Sequence, residues 1–252
     1  MAGLGASIAV TLLQLDHALR IRSYGASAPI CRVATTDRVI ALSFDDGPDP
    51  SLTPRVLALL RRTGTRATFF VIGSRARVAP VLIRGEVAAG EEVGDHTWSH
   101  PHLGSLDARQ TAAQVTSTER LLNRLGAGVT LFRAPFGEIT PSELSAVSAA
   151  GLRAIHWSIP LDHYVGGLGL SPSAAAEAIA RTIRPGDIVL AHDAVLGPER
   201  EEAFRTLEVL LPRLTSRGFE VTTVGRLLAT GTPVPARPRP WFWQTGFDCP
   251  SP

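Results

Sequence analysis

The chain has 252 residues, 25 basic and 23 acidic side chains and a formal charge of +2, and all of its basic residues are arginine. Without lysine there is no Schiff-base or pyridoxal-phosphate chemistry, no lysine base and no lysine-bearing phosphate loop. Arginine stays protonated, so proton transfer near neutral pH falls to His, Asp, Glu, Tyr or Cys, and so balanced a charge gives no basic footprint for nucleic acid or a membrane surface.

In chain order, residues 4–15 are mostly apolar but too short to span a bilayer. No basic residue precedes them, and Asp16, His17, Arg20 and Arg22 follow. They read as a packed N-terminal helix, with a cleavable signal peptide as the alternative. From residue 39 onward, short β-branched or aromatic runs alternate with amphipathic stretches. Strands are expected at 39–44, 67–72, 91–94, 129–132, 152–157, 187–191 and 220–223. Helices are expected at 52–62 (begun by Ser51 and Pro54), 78–89, 107–125, 141–150, 173–183, 199–216 and 225–229. Seven β-then-α units predict an α/β fold with a parallel sheet, and favour a barrel over an open sheet. The division is an N-terminal extension (1–35), a catalytic domain (36–230) and a Pro/aromatic-rich C-terminal segment (231–252). The last segment, with Trp241, Phe242, Trp243 and Phe247, is either a strap on the barrel or a sugar-stacking surface. Cys31 and Cys249 lie near opposite ends. A barrel brings its ends together, so a disulfide is reasonable, and two unrelated thiols are the alternative. A bridge would imply an oxidising compartment, the cell envelope or the exterior rather than the cytoplasm.

Chemistry-bearing residues gather at strand ends: Asp45 and Asp46 after the first, His96 and His100 after the third, Arg133 at the fourth, Asp162 after the fifth and His192 at the sixth. In a parallel barrel these points converge on one mouth. His96-x-x-x-His100 places two imidazoles one helical turn apart, and with an aspartate this makes the His₂-carboxylate set of a hydrolytic zinc site. Asp95, Ser99 and His102 are candidates to orient those ligands. Of the adjacent carboxylates, one can bind the metal while the other stays free as a base.

These residues carry a family resemblance. Ser43-Phe44-Asp45-Asp46-Gly47-Pro48, His96-Thr97-Trp98-Ser99-His100, Arg133-Ala134-Pro135-Phe136-Gly137 and Leu190-Ala191-His192 resemble, in order and spacing, the motifs of the NodB-homology polysaccharide deacetylases, carbohydrate esterase family four. The resemblance covers about residues 36–225. It implies a distorted (β/α)₇ barrel, a divalent metal, usually zinc, on Asp46, His96 and His100, Asp45 as general base and His192 as general acid. Arg133 would hold Asp45, Leu190 would line an acetyl-methyl pocket and the Phe136 N–H would donate to the oxyanion. Pro135, Gly137, Trp157 and Tyr164 complete the expected substrate side. One motif departs: where the family carries D-x-x-D-W, Pro160, His163 and Tyr164 stand at the three specified positions. Either Asp162, shifted by one residue, or His163 then partners His192, and 165–169 is a flexible lip or a plain loop. The implied substrate is an acetylated glycan (peptidoglycan, chitin-like or xylan-like) or a smaller acetylated sugar. A deacetylase of a small acetylated molecule and a glycan-binding pseudoenzyme are the rivals. No membrane span is expected, and the sequence carries no signal for oligomeric state.

Overall fold

A computed structural model describes residues 28–194, 197–238 and 247–250. The expected helix at 4–15 and the cluster Trp241, Phe242 and Trp243 lie outside them. The described chain runs β1 (Ile30–Ala34), β2 (Val39–Asp45), α1 (Thr53–Thr63), β3 (Thr68–Val71), α2 (Gly73–Val78), α3 (Pro80–Ala88), β4 (Glu92–Asp95), α4 (Ala108–Arg124) and β5 (Leu131–Phe132). It continues α5 (Pro141–Ala149), β6 (Arg153–Ala154), β7 (Ile159–Pro160), α6 (Pro172–Thr182), β8 (Ile188–His192), α7 (Pro198–Ser216), β9 (Glu220–Thr222), α8 (Val224–Leu228) and β10 (Thr232–Pro235), with β11 (Arg237–Pro238) and β12 (Phe247–Asp248) pairing last. No helix among the described residues is long and apolar enough to cross a membrane.

The sheet is parallel, in the order β6-β5-β4-β3-β2-β8-β7, with β9 joining β2. It curls into a distorted (β/α)₇ half-barrel. Its spine is β2, buried along its whole length, as a strand covered on both faces must be. One edge of β2 pairs with β8 from Ala41↔Ile188 to Asp45↔His192. The other is shared, with β9 along Val39–Ala41 and β3 along Ser43–Asp45. Alternation sorts the side chains: Ile40, Leu42 and Phe44 join the large cluster that includes the helix residues Leu59, Leu60 and Leu207. Val39 and Ala41 join the smaller cluster with Phe70, Leu131 and Ile188. Ser43 and Asp45 continue that second, interior face.

Three expectations change in detail. The fifth strand, read as one run at 152–157, is broken: β6 pairs with β5 and β7 with β8. Between them His156 N–H donates to Ile30 O (2.7 Å), so β1 takes the place of sheet at the break. The helix expected at 78–89 starts at Pro80, which forces the preceding Ala79 out of helical geometry (φ −124°, ψ 56°), and an unexpected short helix, α2, ends at Val78. Ser51 does not begin α1. Asp49 Oδ1 accepts from Ser51 N–H (2.8 Å) and Leu52 N–H (3.0 Å) instead. Outside the barrel, β1 pairs antiparallel with β10, and Cys31 and Cys249 form a disulfide with Cα atoms 5.6 Å apart.

Candidate active site

The carboxyl ends of β2, β4 and β8, with the turns after β5 and β6, surround a cleft of about 580 Å³ lined by Asp45, Asp46, His96, His100, Phe136, Trp157, Leu190 and His192. Asp45 ends β2 and is turned to the interior, where Arg133 Nη1 donates to its Oδ1 at 2.7 Å. Arg133 is fully buried. It also donates to Ser43 Oγ (2.9 Å) and His156 O (3.1 Å), and its guanidinium lies 4.1 Å above the Phe70 ring. Burial opposes its charge and pulls its pKa down, while the Asp45 carboxylate supports it.

At Asp46 the backbone turns into the left-handed region (φ 73°), while Asp45 Oδ2 lies 3.8 Å from His96 Nε2. Asp46 Oδ1 lies 3.3 Å from His100 Nε2 and 3.6 Å from His96 Nε2. Burial opposes its ionisation, but the hydrogen bond and charge of His96, with the charges of His192 and His100, hold its carboxyl well below the usual range. His96 is buried, its Nδ1 is 2.8 Å from Arg133 O, and its Nε2 is left for the cleft. Burial disfavours its protonated form, yet Asp45 and Asp46 outweigh that and raise its pKa. His100 is lowered, by burial and then by the charge on His96.

The histidine pair is not one turn of helix as expected. Thr97 (φ 67°) and His100 (φ 58°) are both left-handed, and a tight turn folds the two rings to 4.9 Å between centroids. Nor do the expected orienting residues touch the ligands. Asp95 Oδ1 accepts from Thr97 N–H and shapes the turn, Ser99 bonds Gln114, and His102 pairs with Glu138 at the rim. The Arg133 carbonyl orients His96 instead.

These donors fit a divalent metal. Ligand atoms of Asp46, His96 and His100 lie within 4.8 Å of one another. Atoms about 2.0–2.1 Å from a tetrahedral zinc are roughly 3.3 Å apart, close to the Asp46 separations, and two imidazoles plus one carboxylate leave a position open.

Across the cleft, His192 Nδ1 meets Asp162 Oδ2. Of the two candidate partners it is therefore Asp162; the His163 ring is turned against Gly167 and Tyr164. Residues 163–167 form a π-helical turn. Phe136, at φ 59°, is half-exposed and stacks on His102 at 3.9 Å. Gly137 lies against Trp157, where a Cβ would come within 2.7 Å of the indole. Two expected substrate contacts are not on the cleft wall: Pro135 is buried, and Tyr164 packs on the main core.

Sequence reasoning missed three residues. Arg75 lines the cleft and donates to Asp46 O (2.9 Å), and Arg200 lines it beside His192. Asp193 is fully buried behind the aspartate pair and accepts from Thr53 Oγ1 at 2.5 Å. Burial pushes its carboxyl up to about 7, against the Thr53 bond. All three lie outside the motifs, and only Asp193, next to His192, had a positional clue.

Fold and site together define a class: a parallel β/α half-barrel with an Asp–His–His cluster and a separate histidine–carboxylate pair at its mouth. Residues 32–155 match the polysaccharide deacetylase family model. A chitooligosaccharide deacetylase of Sinorhizobium fredii is 36% identical over 222 residues, 84% of this chain and 97% of that protein. A peptidoglycan-N-acetylglucosamine deacetylase of Bacillus cereus is 32% identical over 199 residues, 78% of this chain and 91% of that one. Among solved structures, the Bc1960 peptidoglycan N-acetylglucosamine deacetylase superposes with a TM-score of 0.76 at 26% identity, covering 85% of this chain and 99% of that one. The chain belongs to the polysaccharide deacetylase family.

Proposed function

We propose that the protein is a metal-dependent hydrolase that removes acetyl groups from an N-acetylated glycan of the chitooligosaccharide or peptidoglycan kind. The observation that carries this is the division of labour within Asp45-Asp46: one carboxylate is held by a buried arginine, the other faces two imidazoles. Asp46, His96 and His100 would hold the ion, and two imidazoles with one carboxylate suit zinc. When bound, it supplies a Lewis acid for the acetyl carbonyl and acidifies a water.

The protein's own groups do the rest. Asp45, held in place by Arg133, takes a proton from the water as its oxygen bonds to the acetyl carbon. The oxyanion that forms is met by the Phe136 N–H. His192, backed by Asp162, hands a proton from Nε2 to the sugar nitrogen as the C–N bond breaks, giving acetate and a free amine. Leu190 and Trp157 wall the acetyl side, and Phe136 offers an exposed ring at the rim for a sugar face. The Cys31–Cys249 bridge supports work in an oxidising compartment, the cell envelope or the exterior.

Acetate release from chitooligosaccharide, peptidoglycan and acetylxylan, with zinc content measured on the same sample, tests this. Acetate from the first two is expected. Acetate from acetylxylan alone would move the reading to ester cleavage, and zinc with no acetate from any would make the protein a glycan-binding module.

A further inference from the structure

The first turn of α7 brings Arg200 to the acid side of the cleft. Its Nη1 hydrogen-bonds Asp162 Oδ2 and lies 2.6 Å from His192 Nδ1, while its Nη2 is 3.9 Å from Asp46 Oδ2. The side chain is 18% exposed, so it belongs to the wall rather than to the surface. Asp162 Oδ2, Arg200 Nη1 and His192 Nδ1 thus form a closed triangle. Asp162 Oδ1 is buried without a hydrogen-bond partner among the described residues, so both of the carboxylate's partners meet on one oxygen. Asp162 directly precedes the glycine-rich turn 163–167, and Glu199 sits over that turn, where a Cβ on Gly166 would come within 2.9 Å of Glu199 Oε2. The segment carrying Asp162 and the helix carrying Arg200 are therefore packed as one unit. With its other oxygen unpartnered, the Asp162 carboxylate has little else to fix its rotation, and a charge-assisted bond from a helix-borne guanidinium supplies that restraint.

We propose that Arg200 is a positioning residue, which fixes the Asp162 carboxylate against His192 Nδ1 and so keeps His192 Nε2 turned to the cleft. This rests on the deacetylase reading for its kinetic consequence, but not for its structural one. Only Nη1 makes these bonds, so the guanidinium acts as a point charge rather than as a fork, and a lysine can take its place.

The test is a cycle of Arg200→Ala, Arg200→Lys, Asp162→Asn and Asp162→Asn/Arg200→Ala, each checked for zinc content. Arg200→Ala is expected to lower kcat by about 10–100-fold with KM nearly unchanged, as removal of an outer-sphere orienting partner does. Arg200→Lys should recover most of that loss. The double variant should be no slower than Asp162→Asn alone, since Arg200 acts through Asp162. A loss carried by KM, multiplicative losses in the double variant, a lysine variant no better than alanine, or an unimpaired Arg200→Ala enzyme would each overturn the proposal. The second readout needs no turnover: the His192 ring N–H proton resonance, assigned by its absence in His192→Ala, should shift in Arg200→Ala as it does in Asp162→Asn. An unmoved resonance overturns the proposal even if the wild type releases no acetate, whereas absent acetate with a shifted resonance overturns only the deacetylase reading.

Discussion

Asp45 and Asp46 are covalent neighbours with different partners: Arg133 holds Asp45, while Asp46, on a left-handed backbone, faces both His96 and His100. Removing the charge of Asp45 takes away the base and leaves the Asp46, His96, His100 cluster intact. Asp45→Asn is therefore expected to bind zinc stoichiometrically while kcat falls about 10²–10⁴-fold, and His96→Ala to lose both, read by metal analysis and acetate release. Metal binding also has a pH sign. His96 is held above its ordinary pKa by two carboxylates, so the metal-free protein keeps that proton to higher pH, and a metal needs the lone pair. Affinity for zinc should weaken as pH falls from 8 toward 5. Calorimetry in buffers of different ionisation enthalpy should show a proton released on binding, and pH-independent binding would contradict the account. These residues were legible in the sequence because parallel strands deliver their last residues to one mouth, whatever the side chains between them do. Arg200 was not, since it stands on a helix and reaches the cleft only through the packing of α7 on the 163–167 turn.

Strand and helix boundaries were readable where one periodicity ran uninterrupted, as in β2, α4 and α7. They failed where a local constraint cut across the pattern. Pro80 delays the start of the helix expected from Val78 and ends the short one before it. The fifth strand passes between two sheet edges, so neither half is long enough to show an alternation. The turn after β2 shows how little latitude such a join has. A Cβ on Gly47 would fall 2.3 Å from Oδ1 of the fully buried Asp193, and either the turn or that carboxylate would have to move. Gly47→Ala is expected to destabilise the fold by about 1–3 kcal/mol, as overpacking does, and to weaken zinc binding through displacement of Asp46. Urea denaturation and metal content check both effects, and a variant that is native in both would show that the turn has slack.

The first and last parts of the described chain meet beside the barrel, where β1 pairs β10 and the Cys31–Cys249 disulfide closes a separation of 218 residues. That closure falls where β1 stands in for sheet at the break in the fifth strand, so it secures the seam of the barrel rather than a peripheral loop. Losing a native disulfide typically costs about 2–5 kcal/mol, which for a chain of this length lowers Tm by roughly 5–15 °C. The paired Cys31→Ser/Cys249→Ser variant, melted beside the wild type, should show that drop; an unchanged Tm would mean that the β1–β10 ladder holds the seam alone.

The molecule as a whole makes one claim above the others, that its mouth is a metal-dependent deacetylase site. Acetate release from chitooligosaccharide by the intact protein, after chelation and again after zinc is restored, tests it most directly. The expected result is release that stops on chelation and returns with zinc; release undiminished by chelation, or none from the zinc-loaded protein, would contradict it.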